Sequence, residues 1–216
     1  MSVVKKERES NIELLRLLAM FLVLVVHADF FSLGSPTQSD TLSAPANAFC
    51  RFFFESLSII CVNVFVLISG WFGIKASAKG FCKFAFQCLF FLIGIYAVML
   101  SCGLTSLSIK GLAGCFALLQ WNWFIKAYIG LYILAPILNA FVNQAEEKTF
   151  RNVLICFFAF QTLYAWCSNG AVFFEGGYST MSFIGLYLLA RYVKLYLLKN
   201  YPPPPSGVCW LMRLSQ

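Results

Sequence analysis

Apolar runs long enough to cross a bilayer recur along this chain, and they exclude most of the folds open to a soluble sequence. A helix needs roughly 20 mainly apolar residues to span the hydrocarbon core. Leu14–Phe31 is such a run, and further apolar runs fall at about 57–74, 84–102, 121–142, 153–166 and 181–198. Of 216 residues 60% are hydrophobic and 12% charged, against about 25% charged in an ordinary soluble domain. The expectation is an all-α, polytopic transmembrane helix bundle of about six spans.

The net charge of +7 suggests a nucleic-acid binder only until the bases are placed. Lys75, Lys79 and Lys83 share one short segment, Lys148 and Arg151 another, and Arg191, Lys194 and Lys199 close the sixth run. With the N-terminus in the cytoplasm, alternate loops collect nearly all bases on that side and leave only Arg51 and Lys110 outside, as the positive-inside bias requires. This distribution speaks for orientation and excludes a nucleic-acid partner. The charged lead before Asn11 has no small-residue cleavage site after the first run, so that run is expected to stay in the protein. Nine cysteines without a CxxC pair and a single histidine give zinc little to bind, and the cysteines read as small apolar fillers.

Between the runs, 33–50 (LGSPTQSDTLSAPANAFC) reads as a loop rich in Ser, Pro and Thr, and 101–114 as a weakly polar connection. Residues 143–152 read as a polar hinge, and FFEGGY holds Glu175 in an outer loop. Trp121 and Trp123 suit an interfacial belt, and Pro136 is expected to kink the fourth span. Residues 1–200 form the transmembrane domain. The proline-rich 201–216 is too short to span anything, and reads as an irregular tail or the product of a truncation or frameshift.

The first run, SNIELLRLLAMFLVLVVHADFF, carries the most chemistry. Ser10 and Glu13 have capping-box spacing. Arg16 and His27 lie eleven residues apart, which at about 100° and 1.5 Å per residue puts them on one helix face roughly 16 Å apart. Ionisable residues in hydrocarbon usually face a bundle interior or a wet cavity and serve a purpose there. Arg16 can equally snorkel to the headgroups as a topology signal, and His27 can be a buried, hydrogen-bonded histidine, a proton-transfer group or a metal ligand. Asp29, about 200° round from His27, is a secondary candidate. Asn63 and Gly70 share a face of the second span, as do Tyr128, Tyr132, Ala135 and Asn139 on the fourth; these residues either line a cavity or act as interhelical glue.

Three segments together resemble the membrane-bound acyltransferase family 3, whose members acylate surface polysaccharides and related acceptors. NIELLRLLAMFLVLVVH is similar to its first span, with an arginine and a histidine separated by ten residues. CVNVFVLISGWFGIK is similar to its aromatic second span closing on Ser-Gly, and WFIKAYIGLYILAPILN to its Trp-started helix ending in proline. The sequence departs from the family where many members have an acidic pair, here Tyr128 and Ile129. It also has lysines where arginines often follow the second span, and about six spans where the family usually has ten, which makes it the N-terminal part of that fold.

The resemblance implies a bacterial inner-membrane, multi-pass O-acyltransferase. It would use acyl-CoA, typically acetyl-CoA, as co-substrate, no bound cofactor or metal, and a carbohydrate acceptor presented at the membrane. His27 would be the general base and Arg16 its companion, binding the donor or fixing the site through Glu13. Asp29, Asn63, Tyr128, Tyr132 and Asn139 would join Glu13 in substrate binding, and Lys75, Lys79 and Lys83 would attract the donor phosphates. Two alternatives stay open: a transporter or flippase subunit with Arg16 and His27 as a proton relay, and an inactive fragment.

Overall fold

The structure, a computed structural model, describes residues 10–116, 122–167 and 174–198. These residues form helices joined by short turns, with no strand among them. The chain is all-α, as its apolar periodicity demands. Four of the described helical stretches are long and apolar enough to cross a membrane: Asn11–Phe31, Pro45–Phe72, Ala78–Ser101 and Trp123–Gln144, with mean hydropathies of 2.1, 2.1, 2.1 and 1.7. The fifth and sixth expected runs are helical too. One opens on Glu147, Lys148 and Arg151, and the other ends on Arg191 and Lys194, so each is apolar over a shorter length.

The residues divide into two compact units, one of 1–72 with 189–216 and one of 73–188. In the first unit, α1 (Ser10–Val26) runs directly into a π-helical turn, His27–Phe31. Helices α2 (Gln38–Ser43), α3 (Pro45–Ser58) and α4 (Cys61–Phe72) follow, and α1 packs on both α3 and α4. The buried positions here are mostly small, with Ala19, Ala48, Ser58, Cys61 and Gly70 among them. In lipid there is no hydrophobic drive between helices, so close approach at small residues and the resulting van der Waals contact hold such a bundle. Leu14, Leu17, Phe21 and Leu24 form the outward stripe of α1.

The expected loop over 33–50 is largely helical. Thr37 caps α2: its hydroxyl accepts from the Asp40 amide while the Asp40 carboxylate accepts from the Thr37 amide, a capping box. Pro45 opens α3 in the first turn, where its missing N–H costs nothing. Gly73, at φ +74°, ends α4 with a left-handed residue that a side chain would disfavour.

The second unit contains α5 (Ala78–Ser101), α6 (Ile109–Phe116), α7 (Trp123–Gln144), α8 (Glu147–Cys167) and α9 (Thr180–Tyr192) as far as Leu188. Helix α6 forms within the stretch read as a weakly polar connection. Tyr96 of α5 braces the approach to it, its hydroxyl donating to the Ser106 carbonyl at 3.2 Å and accepting from the Ser108 amide at 3.1 Å. The hinge between α7 and α8 contracts to Ala145 and Glu146, and α7 runs through Pro136 as one helix. The core of this unit is built from Leu131, Ala135, Phe150, Phe183 and Tyr187. Helix α5 buries no residue. The residues read as the terminal tail, and Trp121, lie outside the described residues.

Candidate active site

The first unit holds Glu13, Arg16, His27, Asp29 and Asn63. Because α1 is continuous to Val26, Arg16, Ala19 and Val23 fall on one face with the His27 position. Ala19 is buried and Arg16 half-buried, which makes this the inward face. Arg16 Nη1 donates to both carboxylate oxygens of Glu13, at 2.9 and 3.0 Å. Glu13 therefore faces Arg16 one turn away; the Ser10 side chain, the other half of the expected capping box, lies outside the described residues. Among the described residues its other guanidinium N–H groups meet no hydrogen-bond acceptor, which leaves them for a further anion.

His27 is exposed within this unit. Its Nδ1 lies 2.8 Å from the Val23 carbonyl oxygen. A carbonyl only accepts, so this bond requires Nδ1 to carry the hydrogen, and in the neutral ring Nε2 then has the lone pair. The histidine backbone is fixed as well, since the Ser32 hydroxyl donates to the His27 carbonyl at 2.8 Å. The ring of Phe31 lies 5.0 Å from the imidazole, tilted by 33°. A π-helical turn is uncommon and is found disproportionately at functional sites; here its first residue is the only histidine of the chain.

Asp29 does not orient the imidazole. It pairs with Arg51 of α3, whose Nε donates to Oδ1 at 2.6 Å, and Arg51 also donates to the Gly34 carbonyl. The pair is mostly buried, with 21% and 19% of the two side chains exposed. Arg51 was legible only as a base near an outer loop. The signal for its role was an acid at the end of the first run and a lone base between that run and the second.

The Asp29–Arg51 pair also fixes depth. Helix α1 leads up to it and the α3–α4 stretch leads away while still packed on α1. Twelve residues on from Arg51 and thirteen back from Asp29, Asn63 and Arg16 come to about the same level. Oδ1 of Asn63 is buried and has no hydrogen-bond partner among the described residues.

The second unit holds the other candidates. Tyr132 uses its hydroxyl twice on Ser77, accepting from the amide and donating to the carbonyl, both at 3.0 Å. Asn139 Nδ2 donates to the Ile74 carbonyl at 2.8 Å. Tyr128 sits among rings, 5.6 Å from Phe84 and 5.8 Å from Phe124. The backbone of 74–77 is thus held by α7 while Lys75, Lys79 and Lys83 stand exposed on and after it. Ser77 caps α5 through the Gly80 amide.

A family model described as an acyltransferase domain matches residues 9–212. No curated protein and no solved structure gives a match to the chain.

Proposed function

The chain belongs to the acyltransferase family 3, and from that premise we propose that it is a membrane O-acyltransferase in which His27 is the general base. The donor is acyl-CoA, most simply acetyl-CoA, and the acceptor is a hydroxyl of a surface polysaccharide or lipid-linked sugar. The observation that carries this reading is the bond between His27 Nδ1 and the Val23 carbonyl, because it leaves Nε2 unprotonated in the neutral ring.

Nε2 takes the acceptor's proton as its oxygen attacks the thioester carbonyl. The C–O bond forms, the tetrahedral carbon collapses with cleavage of the C–S bond, and the departing sulfur recovers the proton from the imidazolium. The products are an ester and free CoA thiol, and the histidine returns to its starting state. Arg16, held on Glu13, binds a donor phosphate or pantetheine oxygen, and Asn63 Oδ1 accepts a hydrogen bond from a substrate N–H or O–H at that level. Lys75, Lys79 and Lys83 raise the local concentration of the polyanionic donor. Bases gathered in alternate loops support an N-terminus in the cytoplasm, where the donor is found, and a bacterial inner membrane as the location follows from the family.

The test is acyl transfer from labelled acyl-CoA to glycan by the protein in its membrane, compared between wild type and His27→Ala at equal expression. Loss of transfer is expected. Undiminished transfer by the variant removes His27 from the mechanism, and substrate flux across vesicles without transfer assigns Arg16 and His27 to a proton relay instead.

A further inference from the structure

The π-helical turn His27–Phe31 is fastened to α3 by one side chain. Arg51 Nε donates to Asp29 Oδ1 at 2.6 Å, inside the turn, and its terminal nitrogen donates to the carbonyl of Gly34, just beyond it. Gly34 has φ +74°, a conformation that aims its carbonyl without a side-chain penalty. Helix α3 also packs directly on the turn. Arg51 therefore bridges two points of the segment that follows His27, and it does so from a neighbouring helix 22 residues away in sequence.

A π turn accommodates one residue more than an α turn, at a cost in hydrogen-bond geometry, and it persists where surrounding contacts over-determine it. Three contacts do so here: the Ser32 hydroxyl on the His27 carbonyl, the imidazole on the Val23 carbonyl, and Arg51 on Asp29 and Gly34. The first two arise within the segment itself and could form in more than one local geometry. Only the third refers the turn to another helix. A planar guanidinium, with donors fixed in a fork, suits this two-point attachment better than an ammonium.

We propose that Arg51 is a positioning residue for His27: by anchoring Asp29 and Gly34 to α3 it holds the π turn in the geometry seen here, in which Nδ1 reaches the Val23 carbonyl and Nε2 is left as the base. This rests on the reading of His27 as general base. Arg51 acts through the turn and is assigned no contact with substrate. Its loss frees the turn to relax, the Nδ1 bond then competes with other arrangements, and the two neutral tautomers both become populated. The consequence for transfer is a lower turnover with donor binding largely retained.

The single histidine makes the test direct. In the full chain labelled with ¹⁵N-histidine and held in lipid nanodiscs, the ring nitrogen shifts report the tautomer of His27 alone. Wild type is expected to show a protonated Nδ1 and a bare Nε2 at neutral pH. Arg51→Ala is expected to show a mixture, with kcat lowered on the order of 10- to 100-fold, as misplacement of a reacting group costs, and KM for acyl-CoA within about twofold. Arg51→Lys, which keeps the charge on Asp29, restores part of both signals. Should Arg51→Ala fail to fold, Asp29→Asn tests the same anchor with an isosteric side chain and is expected to show the same tautomer mixture.

A single tautomer in both Arg51→Ala and Asp29→Asn overturns the proposal, as does unchanged kcat in Arg51→Ala. Full transfer by His27→Ala instead overturns the general-base reading beneath it, so the two failures are distinguishable.

Discussion

The hydroxyl of Tyr187 donates to Oδ1 of Asn139 across 2.6 Å, and between them the two side chains close a ring on the backbone of Ile74. The Ile74 amide donates to the same hydroxyl at 3.1 Å, and its carbonyl accepts from Asn139 Nδ2 at 2.8 Å. Each group pays its partner's desolvation: Tyr187 has no exposed surface and Ile74 is buried. Replacing Tyr187 by Phe leaves the Ile74 amide and Asn139 Oδ1 without these partners. Tyr187→Phe is expected to destabilise the protein by about 1–3 kcal/mol, the cost of stranding buried polar groups, measured by denaturant unfolding in detergent.

Gly185 lies against the ring of Phe157, and a Cβ built on it would collide with that ring. Two helices, α8 and α9, meet there with room for a hydrogen only. Gly185→Ala is expected to cost about 1–3 kcal/mol through overpacking. Combining it with Phe157→Leu should recover part of the loss in the same unfolding assay, because the obstructing ring is gone.

Lys194 Nζ donates to the Trp71 carbonyl at 2.9 Å and stands 5.1 Å from the Trp71 ring centroid and 5.5 Å from that of Phe72. The ammonium thus caps the C-terminal end of α4, where the helix dipole favours a cation. Lys194→Met keeps the apolar stem and removes the charge. A loss of about 1–2 kcal/mol is expected, with a matching change in tryptophan fluorescence. Lys194→Arg should retain most of the stability.

Asp40 titrates below the ordinary carboxylate range because the Thr37 hydroxyl and then the Thr37 amide donate to it, outweighing the opposing effect of desolvation; Arg51 adds a smaller favourable charge. A depressed folded-state value makes the ionised form the stabilising one. The contribution is therefore complete above the ordinary value of 3.8 and disappears as pH falls from there through the lower folded-state value. Amide protection in α2, measured by hydrogen exchange corrected for intrinsic rates, is expected to hold at neutral pH and to fall away across that acid window. Asp40→Asn should remove the pH dependence.

Arg16 is tied to Glu13 through one of its terminal nitrogens. If its other donors meet the acyl donor, Arg16→Gln should raise KM for acyl-CoA by about tenfold or more, the worth of a hydrogen bond to a charged group. Arg16→Lys is expected to fall between, since an ammonium keeps the charge without the fork. Steady-state kinetics with varied acyl-CoA check this, and an unchanged KM removes Arg16 from donor binding.

Sequence alone determined that the chain is all-α and membrane-spanning, which family it resembles, and that Arg16 and His27 share a face. Each of these depends on local length or on helical periodicity, and α1 is continuous over the interval that the periodicity assumed. The capping box of Thr37 and Asp40 and the proline opening α3 were legible too, although the loop reading passed over them; both are signals within four residues.

Only the tertiary structure decided what each polar group meets. Asn139 and Tyr132, placed by periodicity on one face of α7, turn out to hold the backbone of Ile74 and Ser77, partners 65 and 55 residues away. Asp29 meets Arg51 rather than His27 because a π turn and a neighbouring helix set its direction. Periodicity fixes the face on which a side chain lies. The partner opposite that face depends on how helices distant in sequence dock, and no local pattern encodes it.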